Sequence, residues 1–110
     1  MRTEKWRANW IRAYGSKARV KWMQNQRCVA CDGWPSVNAH IKSPDEPPSG
    51  MGRKHDFKWI VPLCHKCHGE LHSIGQRSFE DKHLIDLGLE AIVVFCKWRD
   101  MEHDDDDLAT

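Results

Sequence analysis

The cysteines are the residues whose spacing most directly predicts chemistry. Four of the five cysteines form two CxxC pairs, Cys28/Cys31 and Cys64/Cys67. Each pair can present two thiolates from one tight turn, and four thiolates around one Zn²⁺ make a closed tetrahedral site. We therefore predict a structural zinc site that ties together the ends of the long segment between the pairs. Four free buried cysteines and a redox-active CxxC are the alternatives, and Cys96 is predicted to be a core residue.

Two histidines directly follow the second CxxC pair, in the sequence His68-Gly69-Glu70-Leu71-His72. Residues four apart share one face of a helix, so His68 and His72 can bind one divalent cation together. In the HExxH motif of zinc proteases the glutamate directly follows the first histidine, whereas Glu70 is the second residue after His68. Glu70 is therefore predicted to project away from the histidine face. The alternative is that both histidines are ordinary surface residues.

His40 lies between the two CxxC pairs, in a segment that predicts a strand with Ala39 and Ile41 on the opposite side. A hairpin there would point His40 towards the helix of His68 and His72. A neutral imidazole can take a proton from water at neutral pH, which makes His40 a candidate general base. The alternative is a half-buried polar side chain without a chemical role.

A third group of polar residues follows a Pro- and Gly-rich loop. His55 and Asp56 could orient a histidine or bind a metal ion, and Arg53 and Lys54 could hold a phosphate. The alternative is the charged end of a loop.

Length and composition limit the class of protein. A chain of 110 residues makes one small domain, which often needs a staple to stabilise its limited core. We expect no targeting segment and no membrane span, because no apolar run approaches the roughly 20 residues that cross a bilayer. CxxC pairs then indicate a cytoplasmic protein.

Charge is unevenly distributed although the formal net charge is only +1. Lys and Arg dominate residues 1–22, whereas residues 100–107 carry acidic side chains and no Lys or Arg. A basic body favours a partner made of phosphates, so nucleic acid is the predicted partner. Residues 100–110 are predicted to form a disordered acidic tail after a single domain at residues 1–99.

The hydrophobic pattern predicts the elements that would position these residues. Helical spacing within residues 1–15 is followed by Ser16 as an N-cap, and Ser78 begins a capping-box-like helix start. The predicted elements are helices at 1–15, 17–26 and 64–73, strands at 34–42 and 57–63, and one long helix from Ser78 to about Trp98.

The order of these motifs resembles a known family. The series Cys28-x2-Cys31, Asn38-Ala39-His40, Gly52-Arg53-Lys54-x-Asp56 and Val61-Pro62-Leu63-Cys64-x2-Cys67-His68-x3-His72 is similar to HNH (His-Me finger) endonucleases, above all the small phage and prophage type. The resemblance covers residues 27–75. Two positions depart from the family: Ala39 stands where a metal-binding Asp or His is common, and Trp59 stands near the place of the central Asn. The third metal ligand is therefore open, with His55 and Asp56 as candidates.

The resemblance implies a fold and an activity. The fold would be small α+β, with a ββα-metal core, four-cysteine zinc knuckles, an N-terminal helical region and a long C-terminal helix. His40 would be the general base of phosphodiester hydrolysis, and His68 and His72 would hold Mg²⁺ or Mn²⁺, or else Zn²⁺ or Ni²⁺. The substrate would be DNA rather than RNA. A non-catalytic zinc-knuckle module that binds nucleic acid is the main alternative, and a zinc domain that binds proteins is a third; the oligomeric state is open.

Overall fold

The computed structural model describes residues 3–42 and 56–101, which form a small α+β fold around a two-stranded antiparallel sheet. The fold class predicted from the sequence is confirmed at this level. In chain order the elements are α1 (Glu4–Tyr14), α2 (Lys17–Gln24), β1 (Ser36–His40), a 3₁₀ turn (Phe57–Trp59), β2 (Ile60–Cys64), α3 (His65–Ile74), α4 (Gln76–His83) and α5 (Leu87–Asp100).

The two N-terminal helices begin and end where local chemistry requires. The Thr3 side chain accepts a hydrogen bond from the Trp6 amide at the start of α1, and Ser16 accepts one from the Arg19 amide at the start of α2. Such N-caps satisfy amides that have no partner within the helix. Gly15 separates the helices with a φ of 85°, a conformation that an L side chain rarely adopts. The predicted N-cap at Ser16 is confirmed.

The sheet pairs β1 with β2 so that Ser36 lies opposite Cys64 and His40 lies opposite Ile60. This register places the second CxxC pair at one end of the hairpin and His40 at the other. The second predicted strand begins later than expected, because the Asp56 carboxylate accepts a hydrogen bond from the Lys58 amide and starts the 3₁₀ turn instead.

The core lies between the hairpin and the helices that follow it. Ile60, Val61 and Leu63 are fully buried on β2. They pack with residues from α3, α4 and α5, namely Leu71, Phe79, Leu87, Ala91 and Val94. Burial of each large aliphatic side chain contributes about 1.5–3 kcal/mol, so this cluster fixes α3 against the sheet.

Arg19 is a buried cation that the sequence analysis did not predict. It is fully buried, and its guanidinium donates a hydrogen bond of 2.8 Å to the Phe57 carbonyl. The guanidinium also lies within 5.9 Å of the ring centroids of Phe57, Phe95 and Trp98. Burial lowers the pKa of Arg19 to about 10, while the charge of Asp56 opposes that shift. Arg19 therefore joins α2 to α5 and to the turn that precedes β2.

The long C-terminal helix predicted from Ser78 to about Trp98 is wrong: the segment is two helices, α4 and α5. Leu84 ends α4 in the left-handed conformation, with a φ of 56°. Asp86 then caps α5 by accepting a hydrogen bond from the Leu89 amide, and Glu80 accepts one from the Leu87 amide. These two carboxylates satisfy the amides of a new helix start, which helical periodicity alone does not reveal. None of the helices in the described part of the chain has the length and apolar character that crossing a bilayer requires.

Candidate metal centre and active site

The four cysteines of the two CxxC pairs come together at one end of the hairpin. The Sγ atoms of Cys28, Cys31, Cys64 and Cys67 all lie within 4.8 Å of one another. Soft thiolates in this number fit a metal ion such as Zn²⁺, which takes four such ligands in structural sites. Among residues 3–42 and 56–101, this is the group of His, Cys, Asp or Glu side chains that could offer three or more ligands to one metal ion. The predicted four-cysteine site is therefore present as a group that could hold a metal.

The first CxxC turn is shaped by its own backbone. The Cys28 amide donates to the Gly33 carbonyl at 2.8 Å, and the Asp32 amide donates to the Cys28 carbonyl at 2.9 Å. A Cβ added at Gly33 would lie 3.1 Å from the Cys31 sulfur. Gly33 therefore leaves room for the thiol of Cys31 to face the cluster, which a larger residue would crowd.

The second CxxC turn begins α3. Cys64 is the N-cap residue, and its Sγ accepts a hydrogen bond from the Cys67 amide at 3.4 Å. Burial raises the pKa of Cys64, but the bonds from Cys67 and the neighbouring thiols outweigh burial and bring the pKa down to about 7. Burial and the neighbouring thiols raise the pKa of Cys67. The cluster thus already favours one thiolate, and a bound cation would favour the others.

The same helix carries the two predicted metal-binding histidines. The Nε2 atoms of His68 and His72 lie 3.0 Å apart on one face of α3. Burial lowers the pKa of His68, and the nearby His72 and His65 lower it further, so the neutral form that binds metals is favoured. Glu70 lies on another face, where it accepts hydrogen bonds from Lys82 and His83 of α4. His83 also packs on Phe79 and so helps join α3 to α4.

His40 reaches the same region from the sheet. His40 and His72 both line one cavity of about 220 Å³, together with Leu71, Gly75 and Gln76. The Nε2 atom of His40 lies 2.6 Å from the Ala13 carbonyl oxygen, and the Tyr14 ring contacts the imidazole edge-on at 5.0 Å. Because a carbonyl only accepts, Nε2 carries the proton and Nδ1 is the basic nitrogen of the neutral ring. The end of α1 thus fixes the ring in one tautomer.

The remaining predicted site residues are placed differently. Asp56 contacts the Lys58 amide and lies near Arg19, so its carboxylate already serves the turn before β2. Arg53, Lys54 and His55 lie outside the described residues, and their predicted roles stay predictions. Ala39 is fully buried, and Trp59 accepts a hydrogen bond from the Ile41 amide through its carbonyl. Neither of these two offers a metal-binding side chain.

A groove beside the histidine cavity was not predicted from the sequence. It has a volume of about 570 Å³ and shares Lys42, Gly75 and Gln76 with that cavity before continuing along Arg77 and Ser78. The Gln76 side chain accepts a hydrogen bond of 2.9 Å from the Lys42 amide, which joins the end of the hairpin to α4. Lys42 and Arg77 are far apart in the chain and show no shared motif, so only the fold reveals that they line one surface.

Comparisons with known proteins place the chain near others that have no assigned activity. A family model described as "Protein of unknown function (DUF968)" matches residues 7–95. A curated relative named "Uncharacterized protein YdfU", from Escherichia coli (strain K12), is 34% identical over 77 residues, which is 70% of this chain and 20% of the relative. The chain therefore spans about a fifth of the length of that relative. No solved structure matches the chain.

The predicted membership in the HNH endonuclease family is wrong, because the family model that matches most of the chain is a different one. The resemblance depended on short spacings: two CxxC pairs and two histidines on the helix that follows the second pair. Such spacings arise wherever a zinc knuckle leads into a helix. The departures at Ala39 and Trp59 were the signals against the assignment.

Proposed function

Since the chain belongs to the DUF968 family of proteins of unknown function, we propose its activity from its own side chains: a metal-dependent endonuclease that hydrolyses phosphodiester bonds, with DNA as the favoured substrate. The observation that supports this proposal is the common cavity of His40 and His72, beside His68. A candidate base and one of the two candidate metal ligands thus line one space from two different elements. Ordinary surface histidines have no reason to converge in this way.

The two helix histidines fit a cation by their chemistry and spacing. Two imidazole nitrogens 3.0 Å apart have about the separation of neighbouring ligands around one metal ion. Two imidazoles suit Zn²⁺ or Ni²⁺, while Mg²⁺ or Mn²⁺ would take most of its remaining ligands from water and phosphate oxygens. When bound, such an ion stabilises negative charge on a phosphate and on its leaving oxygen. His55 stays a candidate for a further ligand.

His40 would act as the base. With the Nε2 proton directed at the Ala13 carbonyl, the proton of the attacking water would pass to the other ring nitrogen, Nδ1. The Tyr14 ring limits rotation of the imidazole. In the hydrolysis, the water oxygen would form a new bond to phosphorus and its proton would pass to His40. The bond from phosphorus to the 3′ oxygen would break with its electron pair on that oxygen, which takes a proton from solvent water.

One pair of the proposed zinc ligands and the two helix histidines lie on the same helix, α3. Cys64 and Cys67 are at the start of α3, and His72 is one turn beyond His68. A metal held by the cysteines would therefore fix the position of the histidines relative to the hairpin. This explains why a small domain would combine a structural and a catalytic metal.

The proposal is tested by cleavage of plasmid DNA with Mg²⁺ or Mn²⁺ and by metal analysis of the same samples. We expect the wild type to nick DNA and the double variant His68→Ala/His72→Ala to lose nicking while it keeps the metal held by cysteines. Ser73→Ala is the control, because Ser73 is exposed on the same helix but does not line the cavity. Equal nicking by the wild type and the double variant would refute the proposed metal ligands.

The second candidate function is a zinc-knuckle module that binds nucleic acid without cutting it. It is favoured by Ala39 and Trp59, which supply no ligand at two positions near the proposed site. Salt-sensitive DNA binding by the wild type, with no cleavage under any divalent cation, would support this candidate over the nuclease. Binding to neither DNA nor RNA would instead support a domain that binds proteins.

The groove beside the cavity makes a separate prediction about DNA binding. Lys42 and Arg77 line it, and its acid, Glu80, is already engaged by the Leu87 amide. We propose that the two cations contact phosphates next to the cleaved bond. Each phosphate contact on duplex DNA contributes about 0.9 to the salt dependence of binding, so Lys42→Ser/Arg77→Ser should reduce the slope of log K against log salt by roughly 1.8.

Fluorescence anisotropy of a labelled duplex over a series of salt concentrations measures this slope. The matched control, Lys66→Ser/Arg99→Ser, removes one lysine and one arginine that do not line the groove, and it should leave the slope nearly unchanged. The same slope for the groove variant and the wild type would rule out these phosphate contacts, whether or not the protein cleaves DNA.

A further inference from the structure

The outer face of α5 carries apolar side chains that the rest of the described chain leaves exposed. Leu89, Ile92 and Val93 are 58%, 47% and 43% exposed, and Cys96 is half-buried. Their spacing of three, four and seven residues places them along one face of the helix, which we call the outer stripe. Leu84 and Met101, just before and just after α5, are also exposed.

The outer stripe lies opposite the face that α5 buries. Leu87, Ala91, Val94 and Trp98 are the buried residues of the helix. With 3.6 residues per turn, those four residues are about half a turn around the helix from the outer stripe. The helix is therefore apolar on two opposite faces, a pattern typical of a helix packed on both sides. A contiguous exposed apolar surface of this kind usually marks an interface.

The charges beside the outer stripe indicate which partner fits it. Glu90 and Lys97 are seven residues apart, so they share one flank of the stripe. They lie on either side of its midpoint, which falls between Ile92 and Val93. If a second α5 packs antiparallel across that midpoint, Glu90 of each copy lies near Lys97 of the other, and opposite charges meet twice. A parallel pair would place this flank of the two copies on opposite sides of the interface, so Glu90 and Lys97 would not meet across it.

We infer that the outer stripe of α5 is a homodimer interface, in which α5 packs antiparallel against α5 of a second copy of this chain. Ile92 packs against Val93 of the other copy at the two-fold axis, and Leu89 packs against Cys96. Antiparallel helices also align their dipoles favourably. This inference is independent of the proposed nuclease activity, since it depends only on exposure, spacing and charge along one helix.

The inference is tested first by the mass of the full chain in solution, measured by light scattering after size exclusion over a series of concentrations. We expect the wild type to reach the dimer mass and Ile92→Glu to stay monomeric with an unchanged circular dichroism spectrum. Ile74→Glu is the matched control, because Ile74 is similarly exposed, at 41%, but lies on α3 outside the stripe. A monomeric wild type, or a dimeric Ile92→Glu, would overturn the inference.

A charge-swap experiment tests the antiparallel arrangement itself. Glu90→Lys and Lys97→Glu each bring like charges together at two places, and each should raise the dimer dissociation constant by roughly tenfold. The double variant Glu90→Lys/Lys97→Glu should restore wild-type affinity. An equimolar mixture of the two single variants should form a heterodimer in which both charge pairs are again opposite. A dissociation constant that neither single variant changes would refute the antiparallel pairing.

Discussion

Replacement of Cys67 by serine is expected to abolish the cooperative unfolding transition of this protein. The Cys67 sulfur is one of four within 4.8 Å of one another, and the Cys67 amide donates a hydrogen bond to the Sγ atom of Cys64, the N-cap of α3. In small domains, the binding of a structural zinc ion contributes an apparent folding free energy of about 10–16 kcal/mol at neutral pH. This is about the whole free energy of unfolding of a typical domain. Loss of one thiolate from a closed site should therefore leave too little free energy to fold the hairpin and α3.

Two measurements check this expectation. Elemental analysis should find one equivalent of metal in the wild type that is lost in Cys67→Ser, and thermal melts followed by circular dichroism should lose their cooperative step. A strong chelator should have the same effect on the wild type. Cys96→Ser is the matched control, since Cys96 lies on α5 outside the cluster, and it should keep both the metal and the transition. A cooperative, metal-free wild type would contradict the prediction.

The features that sequence predicted well are those set by neighbouring residues. The four-cysteine cluster follows from two CxxC turns, because each turn needs only a few consecutive residues to aim its sulfurs. The N-cap at Ser16 follows in the same way from one hydroxyl and the amide three residues on. The convergence of two strands on one helix was also predicted, since a metal that joins both CxxC pairs must close the hairpin between them.

The features that sequence did not predict depend on contacts between distant residues. The apolar spacing from Leu84 to Trp98 fits one helix, yet Asp86 and Glu80 cap a new helix start that divides it. Leu84, which shares this spacing, is 90% exposed as a result. From the sequence, Arg19 looks like one more surface cation in a basic segment. The fold shows that its guanidinium lies beside the rings of Phe57, Phe95 and Trp98.

The family assignment failed for a related reason. Short ligand spacings report which atoms can bind a metal, and they are shared by proteins of different descent. The family model instead matches residues 7–95, which is most of the chain rather than a few ligand spacings. The positions of His40, His68 and His72 therefore support the proposal of a nuclease activity, but they do not support membership in the HNH endonuclease family.

Replacement of His40 by alanine is expected to reduce phosphodiester cleavage by about 10²–10⁴-fold, the usual contribution of a general base. The fold and DNA binding should persist, since the variant removes one half-buried imidazole, including its contacts with Ala13 and Tyr14, from the end of a strand. Initial rates of cleavage of a labelled duplex, with anisotropy measured on the same samples, separate loss of catalysis from loss of binding.

Two further variants distinguish a base from a residue that only supports the structure. His40→Gln keeps an amide that can donate to the Ala13 carbonyl but cannot take a proton from water, so it should be as inactive as His40→Ala. Free imidazole should restore part of the activity of His40→Ala, because the variant leaves space beside His72 in the shared cavity. Wild-type rates in His40→Ala would remove His40 from the mechanism. Full activity in His40→Gln would show that the bond to Ala13, rather than proton transfer, is what the site requires of this residue.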